Sequence, residues 1–248
     1  MGAVFLPARS MAVVAHNSQA NAPADSVLLD EPGLVARAVG SLFLTLDLMG
    51  QTFDSIAAIR HTLAATDNVR IRAGSVADMN SGVALDVTFP AWSGIKPVGK
   101  AISYAALPGS YNARYVRIDL ISGTGALVEV SRVIVGQRVE SDGIDRGAQL
   151  AYSSGSTVED GPGWTSVGPQ RSRISWQANV GNIQRSYFYS NWSPFLNQVG
   201  IHEGFLFIPQ TDSNALQHEA ALVRLKEDAK IVDVTSDRNR VEMTLFGV

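Results

Sequence analysis

Hydrophobic positions in this 248-residue chain recur mostly at every second residue. In "LFLTLDL", Leu42, Leu44, Leu46 and Leu48 share one side, and Phe43, Thr45 and Asp47 the other. "VALDVTF" sets Val83, Leu85, Val87 and Phe89 against Ala84, Asp86 and Thr88. "RYVRIDL" sets Val116, Ile118 and Leu120 against Tyr115, Arg117 and Asp119. Successive side chains of a strand point to opposite faces, so this period of two predicts half-buried antiparallel strands. "NVRIRAG" predicts a shorter strand with Val69 and Ile71 inward. Met49-Gly50, Ala73-Gly74, Ser81-Gly82 and Pro108-Gly109 predict the turns between them. Many short strands at this spacing predict a sandwich or jelly roll.

"FDSIAAIRHTL" fits two patterns. Phe53, Ile56, Ile59 and Leu63 suit a helix face, whereas alternation makes it a buried strand with Ile56 and Ala58 on one side. Strand is favoured because every neighbouring segment is a strand. The pattern changes after residue 136. Residues 137–173 are rich in Gly, Ser and charge without apolar periodicity, and predict a linker or an extended arm. Residues 174–248 predict a second β-rich module. It holds a cluster of aromatics (Trp176, Tyr187, Phe188, Tyr189, Trp192, Phe195), a short apolar strand "GFLFIPQ", and the strands "AALVRLKED" and "RVEMTLFGV". "SPFLNQVG" predicts a short helix capped by Ser193 with Pro194 in its first turn.

Composition narrows the function classes. Hydrophobic residues make up 46% and charged residues 17%, as in a packed globular protein. A net charge of −3 supplies no basic field for nucleic acid or an anionic membrane. There is no cysteine, which removes disulfides, thiolate metal sites and a cysteine nucleophile. No apolar run approaches the length of about 18–20 residues that a membrane span needs. The N-terminal stretch lacks a charged region before an apolar core, so no signal peptide is expected. Leu6 stands where a myristoylation pattern has Ser or Thr.

No catalytic residue, cofactor-binding residue or metal ligand is assigned. "GTGALV" begins like a dinucleotide fingerprint, but Val128 replaces the third glycine and the motif lies between two strands, so it predicts a hairpin turn. "HEAAL" has Leu222 in place of the second histidine of a zinc-protease motif. His16, His61, His202 and His218 show no ligand spacing, and His61 predicts a core or surface histidine accepting one hydrogen bond. No Gly-x-Ser-x-Gly elbow occurs. Trp92, Tyr104 and Tyr111 are the candidate contact residues, Trp92 in a Pro/Gly loop and the tyrosines flanking "YAALPGSY". They either stack on a sugar or a partner protein, or cap the end of the core.

"ARYVRIDL" (Ala113–Leu120) followed by "LVEVSRVIVG", with Glu129, Arg132 and Gly136, resembles the closing strands of galactose-binding-like (discoidin-type) β-sandwich domains of tailed-phage and prophage virion proteins. Upstream, "SLFLTLDLMGQTFDSIAAIRHTLAATDNVRIRAGS" is similar to the same domains in the order of its pieces. The resemblance covers roughly residues 18–136, and the C-terminal region looks like the second half of such proteins. It implies an all-β protein: a galactose-binding-like jelly-roll sandwich over 1–136, an arm over 137–173 and an assembly module over 174–248. The implied role is a non-enzymatic component of a tail tip or baseplate, made in the host cytoplasm and multimeric among other tail proteins. The alternative is a carbohydrate-binding adaptor for host glycans. On the sugar reading, loops at Asp30–Gly33 and Ala91–Pro97 would form a rim. Glu129 and Arg132 are candidate structural charges. Three residues apart on a strand, they face opposite ways. Arg132 is expected to pair with an aspartate or a backbone carbonyl, and Glu129 to face solvent or a neighbour.

Overall fold

The structure is a computed structural model that describes residues 2–31, 33–145, 147–154, 158–162, 164–167 and 172–248. Its first half contains β1 (Ala3–Pro7), β2 (Ala12–His16), β3 (Ala36–Val39), β4 (Ser41–Asp47), β5 (Thr52–His61), β6 (Asn68–Gly74), β7 (Val83–Pro90), β8 (Ala101–Asn112), β9 (Tyr115–Ile121), β10 (Leu127–Val130) and β11 (Arg132–Gly136). The leucines of β4 face the same way as Val116, Ile118 and Leu120 of β9, and all are buried. These strands belong to an antiparallel sheet in the order β2-β4-β9-β6-β7. It packs against β11-β5-β8 and the pair β10-β3, with Ile56, Ala58, Val133 and Val135 closing the core between them. This is a sandwich, as the alternation predicts.

The run "SIAAI" is a strand, and its ambiguity has a structural cause. Ile56 and Ala58 of β5 enter the sandwich core, while Ala57 and Ile59 face away into a second apolar layer. Ile134 of β11 does the same, opposite Ala57. Strands buried on both faces read as continuous hydrophobic runs.

A third sheet covers that second layer. The rest of the chain contains β12 (Val139–Ser141), β13 (Gln149–Ser154), β14 (Val158–Gly161), β15 (Trp164–Val167), β16 (Ser172–Gln184), α1 (Arg185–Tyr187), a π turn (Phe188–Trp192), α2 (Ser193–Val199), β17 (Phe205–Ile208), α3 (Leu216–Glu219), β18 (Ala221–Leu225), β19 (Lys230–Thr235) and β20 (Arg238–Gly247). The sheet runs β12-β1-β17-β18-β20-β16-β13, and β19 also pairs with β20. Strand β1 therefore lies between β12 and β17, in the sheet of the C-terminal module. The sandwich strands β2–β11 sit between β1 and β12 in sequence, so the first segment, 1–136, contributes to both modules. The expected arm, 137–173, likewise supplies β12 and β13 to this sheet; β14 and β15 pair with each other.

Sidedness in β1 and β17 makes the layers. Val4, Leu6, Leu206 and Ile208 meet Ile59, Ile102 and Ile134 of the sandwich. Phe5, Phe205 and Phe207 face the other way, onto Trp192, Phe195 and Val199. The Phe5 and Trp192 rings meet edge to face at 4.8 Å, and Phe195 and Phe205 at 5.1 Å. Each such buried side chain contributes roughly 1.5–3 kcal/mol. The sandwich and the sheet that covers it thus stack as three β layers, with a helical layer beyond.

One helix end differs from expectation. Ser193 is not a cap; it is helical, and its N–H bonds the Phe188 carbonyl across the π turn. The helical run begins at Arg185, and the wider turn precedes Pro194, which lacks an N–H.

Gly136 follows an apolar strand for a steric reason. A Cβ there would lie 2.1 Å from the Pro7 carbonyl oxygen, so β1 can cross β11 only over a bare backbone.

Candidate functional site

The histidine and its neighbours look superficially catalytic. His61 is fully buried at the end of β5, after a bulge where Arg60 adopts φ 58°. Its Nδ1 accepts from the Leu63 N–H at 3.3 Å. Nε2 therefore carries the proton and donates to Ser103 Oγ at 2.8 Å, while the Ser103 hydroxyl donates to the Ala91 carbonyl. Burial pushes the imidazole down to about 4, opposed by Asp67. The chain His61–Ser103–Ala91 ends on a carbonyl inside the protein, and Ser103 is itself buried. Every polar atom in it is used to tie β5, β8 and the 91–97 loop together.

The three candidate contact aromatics do not form a platform. Trp92 packs on the sandwich core and donates its indole N–H to the Leu63 carbonyl at 2.9 Å. Tyr104 and Tyr111 do not flank a loop; both lie on β8. Tyr111 stacks on Phe53 with ring centroids 6.1 Å apart, and burial raises the Tyr104 hydroxyl above its ordinary range, with Ser55 beside it at 3.4 Å. An irregularity between Tyr111 and Ala106 absorbs the Pro108-Gly109 pair that the sequence pattern assigns to a turn.

The expected loop rim is occupied as well. Ile95 N–H bonds the Asn214 carbonyl at 2.7 Å, and His218 Nε2–H donates to the Lys96 carbonyl at 2.9 Å. Asp30, from the other loop, accepts the Gly204 N–H at 2.9 Å and pairs with Arg224 at 3.2 Å. Both loops therefore dock on the C-terminal module.

Arg132 completes that junction. Its Nε lies 3.1 Å from Asp30 Oδ1, and Nη1 donates to the Val27 carbonyl at 3.2 Å. Burial lowers its basicity, and the nearby Asp30 and Glu203 charges oppose that. Gly204 allows the approach, since a Cβ there would sit 2.5 Å from Asp30 Oδ2. The sequence marked the Asp30 loop only as part of a rim and could not make Asp30 the partner of Arg132 and Arg224, which lie about 100 and 190 residues away. Glu129 stands apart from that junction, half-buried and held by Arg37 at 2.9 Å and Lys100 at 2.8 Å. The Lys100 hydrogen bond holds its carboxyl below the usual range.

No cluster of three or more metal-ligating side chains occurs among the described residues. The "GTGALV" glycines form the β9–β10 turn, where Gly123 N–H bonds Asp67 Oδ1 at 2.9 Å. No described helix is long and apolar enough to cross a membrane.

A cleft of about 870 Å³ opens between β1, β12 and the end of β16. Glu140, Asp142, Asn182, Tyr187 and Arg238 line it with polar groups. Trp192 also reaches it, buried, with no acceptor for its indole N–H among the described residues. No sequence signal pointed there, since the lining comes from opposite ends of a sheet.

No protein family and no curated protein matches the chain. Solved structures similar to it include the family 32 carbohydrate-binding module of Clostridium perfringens NanJ in complex with galactose. That match has 16% identity and a TM-score of 0.39, and covers 55% of this chain and 99% of that one. The family 32 module of AlyQ in complex with 4,5-unsaturated mannuronic acid matches at 16% identity and TM-score 0.37, over 53% of this chain and 96% of that one. A Ruminococcus gnavus GH29 fucosidase in complex with fucose matches at 13% identity and TM-score 0.39, over 56% of this chain and only 26% of the fucosidase. Family 32 modules are galactose-binding-like β-sandwiches. The present chain is likewise mostly β. At these scores, its function has to be argued from its own residues.

Proposed function

We propose that this chain is a non-enzymatic structural protein of a tailed-phage virion, built into the tail tip or baseplate by contacts with neighbouring chains. The observation that carries the reading is β19. It is a sheet-edge strand whose six residues are all exposed, three of them aliphatic (Ile231, Val232 and Val234). An exposed edge that carries three aliphatic side chains beside only two charges is a surface on which another strand can associate. The resemblance of residues 18–136 to virion domains points the same way. The sandwich docks on the third sheet through a continuous apolar layer and the Asp30 junction, as suits a rigid building block.

Light scattering on the purified chain, alone and mixed with the other tail proteins of its virion, tests this. A mass above the monomer, or capture into a tail complex, is expected. A monomer that ignores those proteins overturns it.

A second reading is glycan binding, favoured by the 870 Å³ cleft. Its size suits a small ligand, and Asp142, Asn182 and Arg238 offer the acceptors and donors that sugar hydroxyls need, beside the Tyr187 ring. On this reading the sandwich aromatics play no part. A glycan panel should then give binding that Asp142→Ala abolishes and Trp92→Phe leaves intact. Equal binding by wild type and Asp142→Ala removes the cleft from consideration.

A further inference from the structure

Sheet edges in this molecule are of two kinds. Some are clamped by side chains that imitate a neighbouring strand. On β8, Ile102 N–H donates to Gln217 Oε1 at 2.9 Å, and Gln217 Nε2 donates to the Ile102 carbonyl at 2.8 Å. On β12, the Tyr187 hydroxyl accepts from Glu140 N–H at 3.3 Å and lies 3.2 Å from the Glu140 carbonyl. Just before it, Arg138 N–H is taken by Asp54 Oδ1 at 2.9 Å.

Strands β19 and β13 are of the other kind. Among the described residues, β19 pairs only with β20, β13 pairs only with β16, and β19 carries no such clamp. They flank the β16–β20 pair on opposite sides. Ile231, Val232 and Val234 are 52, 38 and 49% exposed on β19, and Tyr152 is 60% exposed on β13.

We propose that this sheet continues from copy to copy, with β19 of one molecule pairing with β13 of a second copy of the chain. This rests on the assembly reading above and names its partner and edges. Strand direction supports the pairing. Every step across β19-β20-β16-β13 is antiparallel, so β19 and β13 run in opposite directions. Two copies in the same orientation therefore meet through an antiparallel junction like the rest of the sheet. Charge supports it too. Residues 149–152 of β13 are uncharged, so Lys230 and Asp233 meet no like charge. Pairing of β19 with its own copy is poorer. A two-fold axis normal to the sheet pairs residues of equal parity. The registers that engage five residues of β19 then place Asp233 against Asp233 or against Ile231. Like charges directly opposite destabilise a ladder. Because donor and acceptor edges differ, the contact is head to tail, and it closes into a ring or runs on as a filament.

The absence of cysteine makes the test clean. Val232→Cys and Tyr152→Cys are made in separate full-length chains and mixed under mild oxidation, while wild type, Val232→Lys and Tyr152→Lys are weighed by light scattering. The expected result is a disulfide-linked dimer only in the mixture, together with a multimeric wild type whose mass falls to the monomer in either lysine variant. A disulfide formed by Val232→Cys alone, or a multimer unmoved by Val232→Lys, overturns this pairing and leaves the assembly reading standing. A wild type that stays monomeric at every concentration, but is captured by other tail proteins, likewise overturns only this pairing. A monomer that neither self-associates nor binds them overturns both.

Discussion

Single residues in the junction and the core carry different amounts of stability. Arg132→Ala leaves Asp30 with only part of its partners, and removing one member of a buried pair costs about 3–5 kcal/mol. Glu129→Gln weakens a pair whose cations, Arg37 and Lys100, are far more exposed than Arg132, and should cost about 1 kcal/mol. Denaturant unfolding of the two variants should separate them clearly; equal losses would contradict the burial difference. His61 makes stability pH-dependent. Its folded pKa lies below its ordinary 6.5, so the unfolded chain takes up the proton first. Its contribution is complete above pH 6.5 and is lost as pH falls from there to about 4, on the order of 3 kcal/mol in all. His61→Gln should flatten that part of the stability profile, and an unchanged slope would rule the imidazole out. The sequence made Arg132 conspicuous because a charge interrupts an apolar run. It could not name Asp30, whose role depends on chain folding back from far away.

At the level of strands, alternation was informative wherever one face meets a core and the other meets solvent. That holds for β4, β9 and β20, where Val241, Met243 and Leu245 are buried in turn. It was silent for β19, whose apolar residues point both ways because neither face is covered. It was also silent on the address of β1, since "AVFLP" fits any buried strand. The consequence is testable. A chain starting at residue 9 removes an internal strand, the one between β12 and β17, from the third sheet and strips Phe5 from the aromatic core. Thermal unfolding should then lose the single cooperative transition of the intact chain. A truncated chain that melts like the full one would show β1 to be dispensable. Gly136→Val should also be strongly destabilising, because its side chain would collide with Pro7.

The molecule as a whole is an insertion rather than a tandem. The sandwich hangs between two neighbouring strands of another sheet, sharing with it a wall of aliphatic side chains and a charged pin. Heating should therefore melt both halves in one calorimetric transition, and two well-separated peaks would show that the shared wall holds little. The insertion also matters during synthesis. Phe5 pairs with Phe207, about 200 residues downstream. At translation rates of about 5–20 residues per second, β1 waits roughly 10–40 s for its partner to leave the ribosome. Through that interval the nascent chain carries an unpaired apolar segment while the sandwich strands emerge ahead of β17. A lesion near the N-terminus would then cost yield during production as well as weakening the molecules that do mature.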